Sequence, residues 1–170
     1  MIRMKTLIFL ILAFFSFQAC SNPASNTATR GEIKAAAAPD FTIETLDHGT
    51  FKLSGQAGKV VYLFFIGYSC PPCIASSPNV EKQIQKGYSD DDVVVIGIDV
   101  WDGTIGQLSN FKIQTGATFP LGLTGSGVGG LYGAPNDYSV LIDQKGRKVY
   151  EKAGADVAAI KQKIDELLKE

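Results

Sequence analysis

The chain has little of what most functional classes require. Three cysteines stand among 170 residues, Cys20, Cys70 and Cys73, too few for a framework of structural disulfides. The single histidine is His48. A zinc site on Cys70 and Cys73 would need further Cys or His ligands, and His48 is the one candidate. It lies in an Asp-His-Gly stretch that reads as a solvated turn. No block of Lys or Arg stands out, which argues against nucleic acid as the main partner. The apolar run Leu7–Phe17 falls short of the roughly 20 residues that a membrane-spanning helix needs. No internal repeat is present.

What is there concentrates at Cys70-Pro71-Pro72-Cys73. Two cysteines at this spacing can close a small disulfide ring and reopen it without unfolding the chain. The apolar segment Lys59–Ile66 precedes the pair and reads as a strand. Ile74–Lys86 follows and reads as a helix. A cysteine at the start of a helix faces unpaired backbone N–H groups and the positive end of the helix dipole. Both stabilise the thiolate, the species that attacks disulfides. Pro71 and Pro72 lack N–H groups, which costs little in a first helical turn, and they stiffen the ring.

The N-terminus carries its own pattern. Arg3 and Lys5 precede the apolar run, as in an export signal. Phe17-Gln18-Ala19-Cys20 then resembles a bacterial lipobox. In such signals the cysteine is lipidated and becomes the mature N-terminus. The resemblance implies a signal peptide over 1–19, a lipid on Cys20 and attachment to a membrane, since an acylated N-terminus with more than one chain anchors stably. The mature chain would hold 14 basic and 17 acidic residues, a net charge of −3. Residues 21–38 are small, polar and Ala-rich, and read as a flexible tether spanning a few tens of Å. The domain is expected over 39–170.

Within the domain, Phe41–Ile43 and Phe51–Leu53 read as short strands around a turn at Asp47-His48-Gly49. Val60–Ile66 and Val93–Val100 are nearly continuous apolar runs, as expected for strands buried on both faces. With a helix between them they predict a parallel pair. Tyr138–Asp143 and Lys148–Lys152 flank Gln144-Lys145-Gly146-Arg147 and predict a hairpin. Asp156–Lys169 predicts an amphipathic helix, with apolar residues at three- and four-residue spacings and Asp156 as N-cap. Gly125–Gly130 formally reads G-x-G-x-x-G but lacks the strong strand of a dinucleotide site, and reads as a flexible loop.

Together these pieces resemble the thioredoxin superfamily, in particular its TlpA-like, AhpC/TSA-related thiol-disulfide oxidoreductases. The resemblance rests on Ala38-Pro39-Asp40-Phe41, Gly58-Lys59-Val60-Val61, the dithiol, and Pro78 five residues after Cys73. It extends through Tyr132-Gly133-Ala134-Pro135, then Val140–Asp143 with Gly146. It implies an α/β fold with a central mixed sheet flanked by helices and an N-terminal β extension. It implies Cys70 as nucleophile and Cys73 as resolving thiol, with no cofactor or metal beyond that redox-active disulfide. It implies a cis bond before Pro135, packed beside the dithiol, and an Ala134 backbone that pairs with substrate peptide.

The partners implied are disulfide-containing exported proteins and a membrane thiol reductase as electron donor, at the periplasm-facing envelope, as in cytochrome c maturation. The sequence departs from the pattern at Phe64, where thioredoxins carry a buried Asp. It departs again at Ile66-Gly67-Tyr68-Ser69, where Trp-Ala-x-Trp is usual, and at Asn136-Asp137 after the proline. With Phe64 in place, Asp137 is a candidate proton acceptor for Cys73. Trp101 and Asp102, after the second central strand, read as structural residues near the rim of the site. Two rival readings remain. A peroxiredoxin-like peroxidase would need Pro-x-x-x-Thr-x-x-Cys, but Leu63 and Gly67 occupy the Pro and Thr positions. A non-catalytic binding module would keep the fold alone.

Overall fold

The computed structural model describes residues 36–169. The expected signal segment, Cys20 and most of the expected tether lie outside the described residues. Strand β3, Val60–Ile66, is the spine of the domain, with every residue buried. It pairs in parallel with β4, Val93–Asp99, and antiparallel with β6, Tyr138–Ile142. The short β5, Leu121–Gly122, extends the sheet beyond β4, and β7, Lys148–Ala153, extends it beyond β6. The resulting mixed order is β5-β4-β3-β6-β7. Strands β1, Thr42–Glu44, and β2, Thr50–Lys52, form the separate N-terminal hairpin. The thioredoxin-like architecture expected above is the one found.

Alternation along β3 splits its side chains between two cores. Val60, Tyr62, Phe64 and Ile66 pack with Cys70 and Cys73. That core is closed by α1, Pro71–Val80, by α2, Ile105–Thr115, and by α4, Val157–Leu167. Val61, Leu63 and Phe65 face the other way, against the β1–β2 hairpin and α3, Ser126–Tyr132. Phe64 is fully buried on the dithiol side. Helix α4 starts at its Asp156 N-cap, which accepts the N–H of Ala159, as its periodicity predicts.

Two helices depart from the sequence reading. The segment Gly125–Gly130 is not a flexible loop, because α3 runs through it. Glycines cost about 1 kcal/mol each in a helix interior, so tertiary contacts must offset them. Val128 and Tyr132 are buried against the sheet, and the Tyr132 hydroxyl donates to the Pro39 carbonyl at 2.7 Å. Asp102 accepts the N–H and hydroxyl of Ser126 and so caps the first turn. A side chain on Gly129 would collide with Val100. Helix α2 was unassigned from sequence. Its capping box, Thr104 with Gln107, and the left-handed Gly116 that ends it are local signals.

The helix after the dithiol is α-helical only to Val80. Pro78 lies inside it, and a π turn, Glu81–Gln85, follows. Proline removes a backbone donor, and wider turns of this kind accommodate such defects. The π turn buries Glu81, which accepts the N–H and hydroxyl of Thr118 at 2.8 and 2.7 Å. Phe119, next in the chain, is buried packing. At the opposite end of the sheet, Ala36 and Ala38 bond to Lys148 and Gly146. The last residues of the expected tether therefore lie against the domain. No helix among the described residues is long and apolar enough to cross a membrane.

The β6–β7 turn is held by Asp143, buried at 3 % exposure. It accepts the N–H groups of Lys145 and Arg147, and the Arg147 Nε at 2.7 Å. Burial pushes its carboxyl up, but these donors outweigh burial and hold it below the usual range. A depressed folded value means the stabilisation is present above the unfolded value, near 4, and is lost as pH falls through the folded one. Asp143→Asn should cost about 1–2 kcal/mol at neutral pH. The gap to wild type should close on acidification, as read by urea unfolding at several pH values.

Candidate active site

Strand β3 and helix α1 meet at the dithiol. β3 ends at Ile66, and the turn Gly67–Ser69 carries the chain to Cys70, whose N–H bonds to the Gly67 carbonyl at 2.9 Å. Cys70 is the N-cap of α1, and Pro71 and Pro72 occupy the first two helical positions. Two of the N–H groups that a helix start normally presents are therefore missing. The N–H of Cys73 remains, and it reaches the Cys70 sulfur at 3.4 Å. Cys70 and Cys73 form a disulfide with Cα atoms 5.3 Å apart. Their exposures are 1 % and 0 %. Pro71 and Pro72, by contrast, are exposed.

The segment between α3 and β6 closes over the pair. The bond before Pro135 is trans, as are all the described peptide bonds, so the cis expectation is corrected. The chain turns instead through left-handed residues at Gly133 and Asp137, with φ of 59° and 57°. Aspartate tolerates that region better than most side chains. The N–H of Ala134 is committed to the Gly129 carbonyl at 2.9 Å, which leaves its carbonyl for the backbone pairing that the resemblance implies. The side chain brought to the dithiol is Asn136, whose Nδ2 donates to the Cys70 sulfur at 3.3 Å. The sequence marks this position only as a departure from the family pattern.

The other wall is pinned by Asp99, at the end of β4. Its carboxyl is fully buried and accepts three N–H groups: Tyr68 at 3.1 Å, Trp101 at 3.3 Å and Gly103 at 2.6 Å. Burial pushes this carboxyl up despite those donors. Asp99 thus ties the turn before Cys70 to the loop after β4. A Cβ on Gly67 would run into the Trp101 ring, so the missing side chain there is what lets the indole lie over the turn. Trp101 meets Tyr68 edge-on, with centroids 5.7 Å apart, and remains 44 % exposed. With Gly129 and Gly130 of α3, Ala134, Pro135 and Asn136 it lines an open groove of about 500 Å³. Asp102 serves α3 instead, as described above.

Residues off this centre fall as follows. His48 sits in the β1–β2 turn, half exposed and bonded to Asp47. Among the described residues no three His, Cys, Asp or Glu side chains gather in a way that could hold a metal. Asp137 precedes β6 in the left-handed region and is half-buried. One of its carboxyl oxygens is buried without a hydrogen-bond partner. Close by, the buried Tyr62 hydroxyl pairs with Ser139 at 2.9 Å.

Residues 35–151 match the AhpC/TSA family. The chain belongs to that family. A ResA thiol-disulfide oxidoreductase of Bacillus thuringiensis (strain Al Hakam) is 34% identical over 119 residues, 69% of this chain and 68% of the relative. A solution structure from Bacteroides thetaiotaomicron, provisionally named a protein disulfide isomerase, has a TM-score of 0.72 and 36% identity. It covers 80% of this chain and 90% of its own. A Chlorobium tepidum structure, provisionally named a thiol:disulfide interchange protein DsbE, gives 0.70 and 32%, over 79% and 96%. Within the AhpC/TSA family this chain is a TlpA-like thiol-disulfide oxidoreductase of the thioredoxin superfamily. Its chemistry is two-electron exchange at Cys70–Cys73.

Burial pushes the Asp137 carboxyl above the ordinary carboxylate range. A raised folded value means the associated stability is present below the unfolded value and is lost as pH rises through the folded one. Asp137→Asn should therefore be more stable than wild type at pH 7, by about 1 kcal/mol, and no more stable near pH 3. Urea midpoints at the two pH values read the difference.

Proposed function

We propose that the protein is exported, anchored by lipid on Cys20, and reduces disulfides of exported proteins at the periplasm-facing side of a membrane, as in cytochrome c maturation. The observation that carries the reaction is the geometry of Cys70, a helix N-cap sulfur receiving two donors and backed by a buried Cys73. The lipobox-like Phe17–Cys20 supports the anchor. The names ResA and DsbE borne by its relatives support the choice of a protein disulfide as substrate.

In the reducing direction the dithiol starts reduced. The Cys70 thiolate attacks one sulfur of the substrate disulfide, whose S–S bond breaks. One substrate sulfur leaves as a thiolate and takes a proton, while the other stays bonded to Cys70. Cys73 then loses its proton and attacks the Cys70 sulfur, releasing the second substrate thiolate and forming Cys70–Cys73. Two electrons have passed to the substrate. A membrane thiol reductase, itself a dithiol, returns two electrons to the pair by the same exchange. Asp137, half-buried with one carboxyl oxygen left without a hydrogen-bond partner, is the proton acceptor we assign to Cys73.

Cys73→Ser should trap a mixed disulfide on Cys70, seen by non-reducing electrophoresis and mass spectrometry, and lose at least about 99 % of turnover, since the resolving step is gone. Cys70→Ser should trap none. A folded Cys73→Ser protein that traps nothing would sink the proposal. In cells, Cys20→Ala should lose fatty-acid labelling and leave the membrane fraction, and continued labelling would refute the anchor.

A further inference from the structure

We infer that Asn136 is a catalytic residue of the dithiol: its side-chain amide stabilises the Cys70 thiolate and thereby sets how readily Cys70 reacts. The inference deepens the thiol-disulfide reading and rests on it. The starting observation is the 3.3 Å contact from Asn136 Nδ2 to the Cys70 sulfur. Among the described residues that sulfur receives one other donor, the Cys73 N–H at 3.4 Å. A helix start would ordinarily offer more. Here Pro71 and Pro72 fill the first two positions, and proline has no N–H to give. Asn136 supplies from outside the helix a donor that the two prolines take away from within it.

The placement of Asn136 is fixed from both sides. Before it, Gly133 ends α3 in the left-handed region and Pro135 restricts its own φ. After it, Asp137 is held at φ 57°, and its carbonyl accepts the Gly154 N–H at 2.6 Å. A left-handed non-glycine residue is uncommon. It stands next to the one side chain among the described residues that donates a hydrogen bond to the Cys70 sulfur, as a backbone shaped to present that side chain would.

The energetic sense follows from the charge on sulfur. A donor to a neutral disulfide sulfur makes a weak bond, whereas a donor to a thiolate makes a charge-assisted one. The amide therefore favours the reduced, deprotonated state over the oxidised state. Removing it should make Cys70 less reactive at neutral pH and make the disulfide harder to reduce. Asn136 also lies against the sulfur of Cys70, a residue only 1 % exposed, so it must give way as a substrate sulfur approaches.

The test uses the full-length reduced protein. The pH profile of Cys70 alkylation by iodoacetamide is followed by peptide mass spectrometry, and the potential is measured against glutathione buffers. Asn136→Ala should move the alkylation profile to higher pH. It should shift the dithiol–disulfide equilibrium about tenfold towards the disulfide, about 30 mV more reducing. Asn136→Asp keeps the size but places an anion on the thiolate, and should move the profile further in the same direction. Should the alanine variant not fold, the aspartate variant carries the test. Profiles and potentials unchanged in the folded variants, or shifted the opposite way, would overturn the assignment. Neither readout requires a protein substrate, so failure of the proposed substrate class leaves this outcome separately visible.

Discussion

Everything at the functional end of this molecule depends on one strand being buried on both sides. All seven residues of β3 are withdrawn from water, with even-numbered side chains in one core and odd-numbered ones in the other. Such a strand cannot slip by one residue without exchanging its two faces. Its C-terminal end is therefore a fixed point. Cys70 stands four residues beyond it and at the same time caps a helix, so the position of the sulfur is inherited from the register of the sheet.

Around that fixed point the rim is assembled from segments far apart in the chain. Asp99 gathers three backbone N–H groups from two loops. Gly67 leaves room for Trp101. Asn136 arrives from the turn before β6 and touches the sulfur. The result differs from the thioredoxin pattern in its parts while keeping its layout. Its aromatic wall pairs Trp101, from the loop after β4, with Tyr68 from the turn before Cys70. The position where thioredoxins bury an acid is held by the fully buried Phe64. The turn beside the pair is made with left-handed residues and a trans proline.

Much of the frame was legible in the sequence because its signals are local. Continuous apolar runs announced β3 and β4, Gln144–Arg147 announced the β6–β7 turn, and the spacing of Val157, Ile160, Ile164 and Leu167 announced α4. Helix α3 was not legible. Its four-residue core of glycine and valine has poor helix propensity, and it forms because Tyr132, Val128 and Asp102 find partners elsewhere. The committed N–H of Ala134 and the trans bond at Pro135 were likewise hidden, since both depend on how α3 ends. Asn136 and Asp99 carry no local signature at all. An asparagine after a proline and an aspartate at the end of a strand are ordinary until their neighbours are known.

By itself, then, the sequence determined the reactive pair, the strand–helix junction that holds it, and the family of the fold. The first two follow from spacing and periodicity within short windows, and the third from motifs that resemble those of a known family. Only the tertiary structure decided which groups surround the sulfur. Hydrogen bonds to Cys70 and to the buried Asp99 link residues some 30 to 70 positions apart, as in the Tyr68–Asp99 and Cys70–Asn136 contacts. The reactivity of a thiol is set by such through-space donors and charges, and through-space distance appears only when the chain is folded.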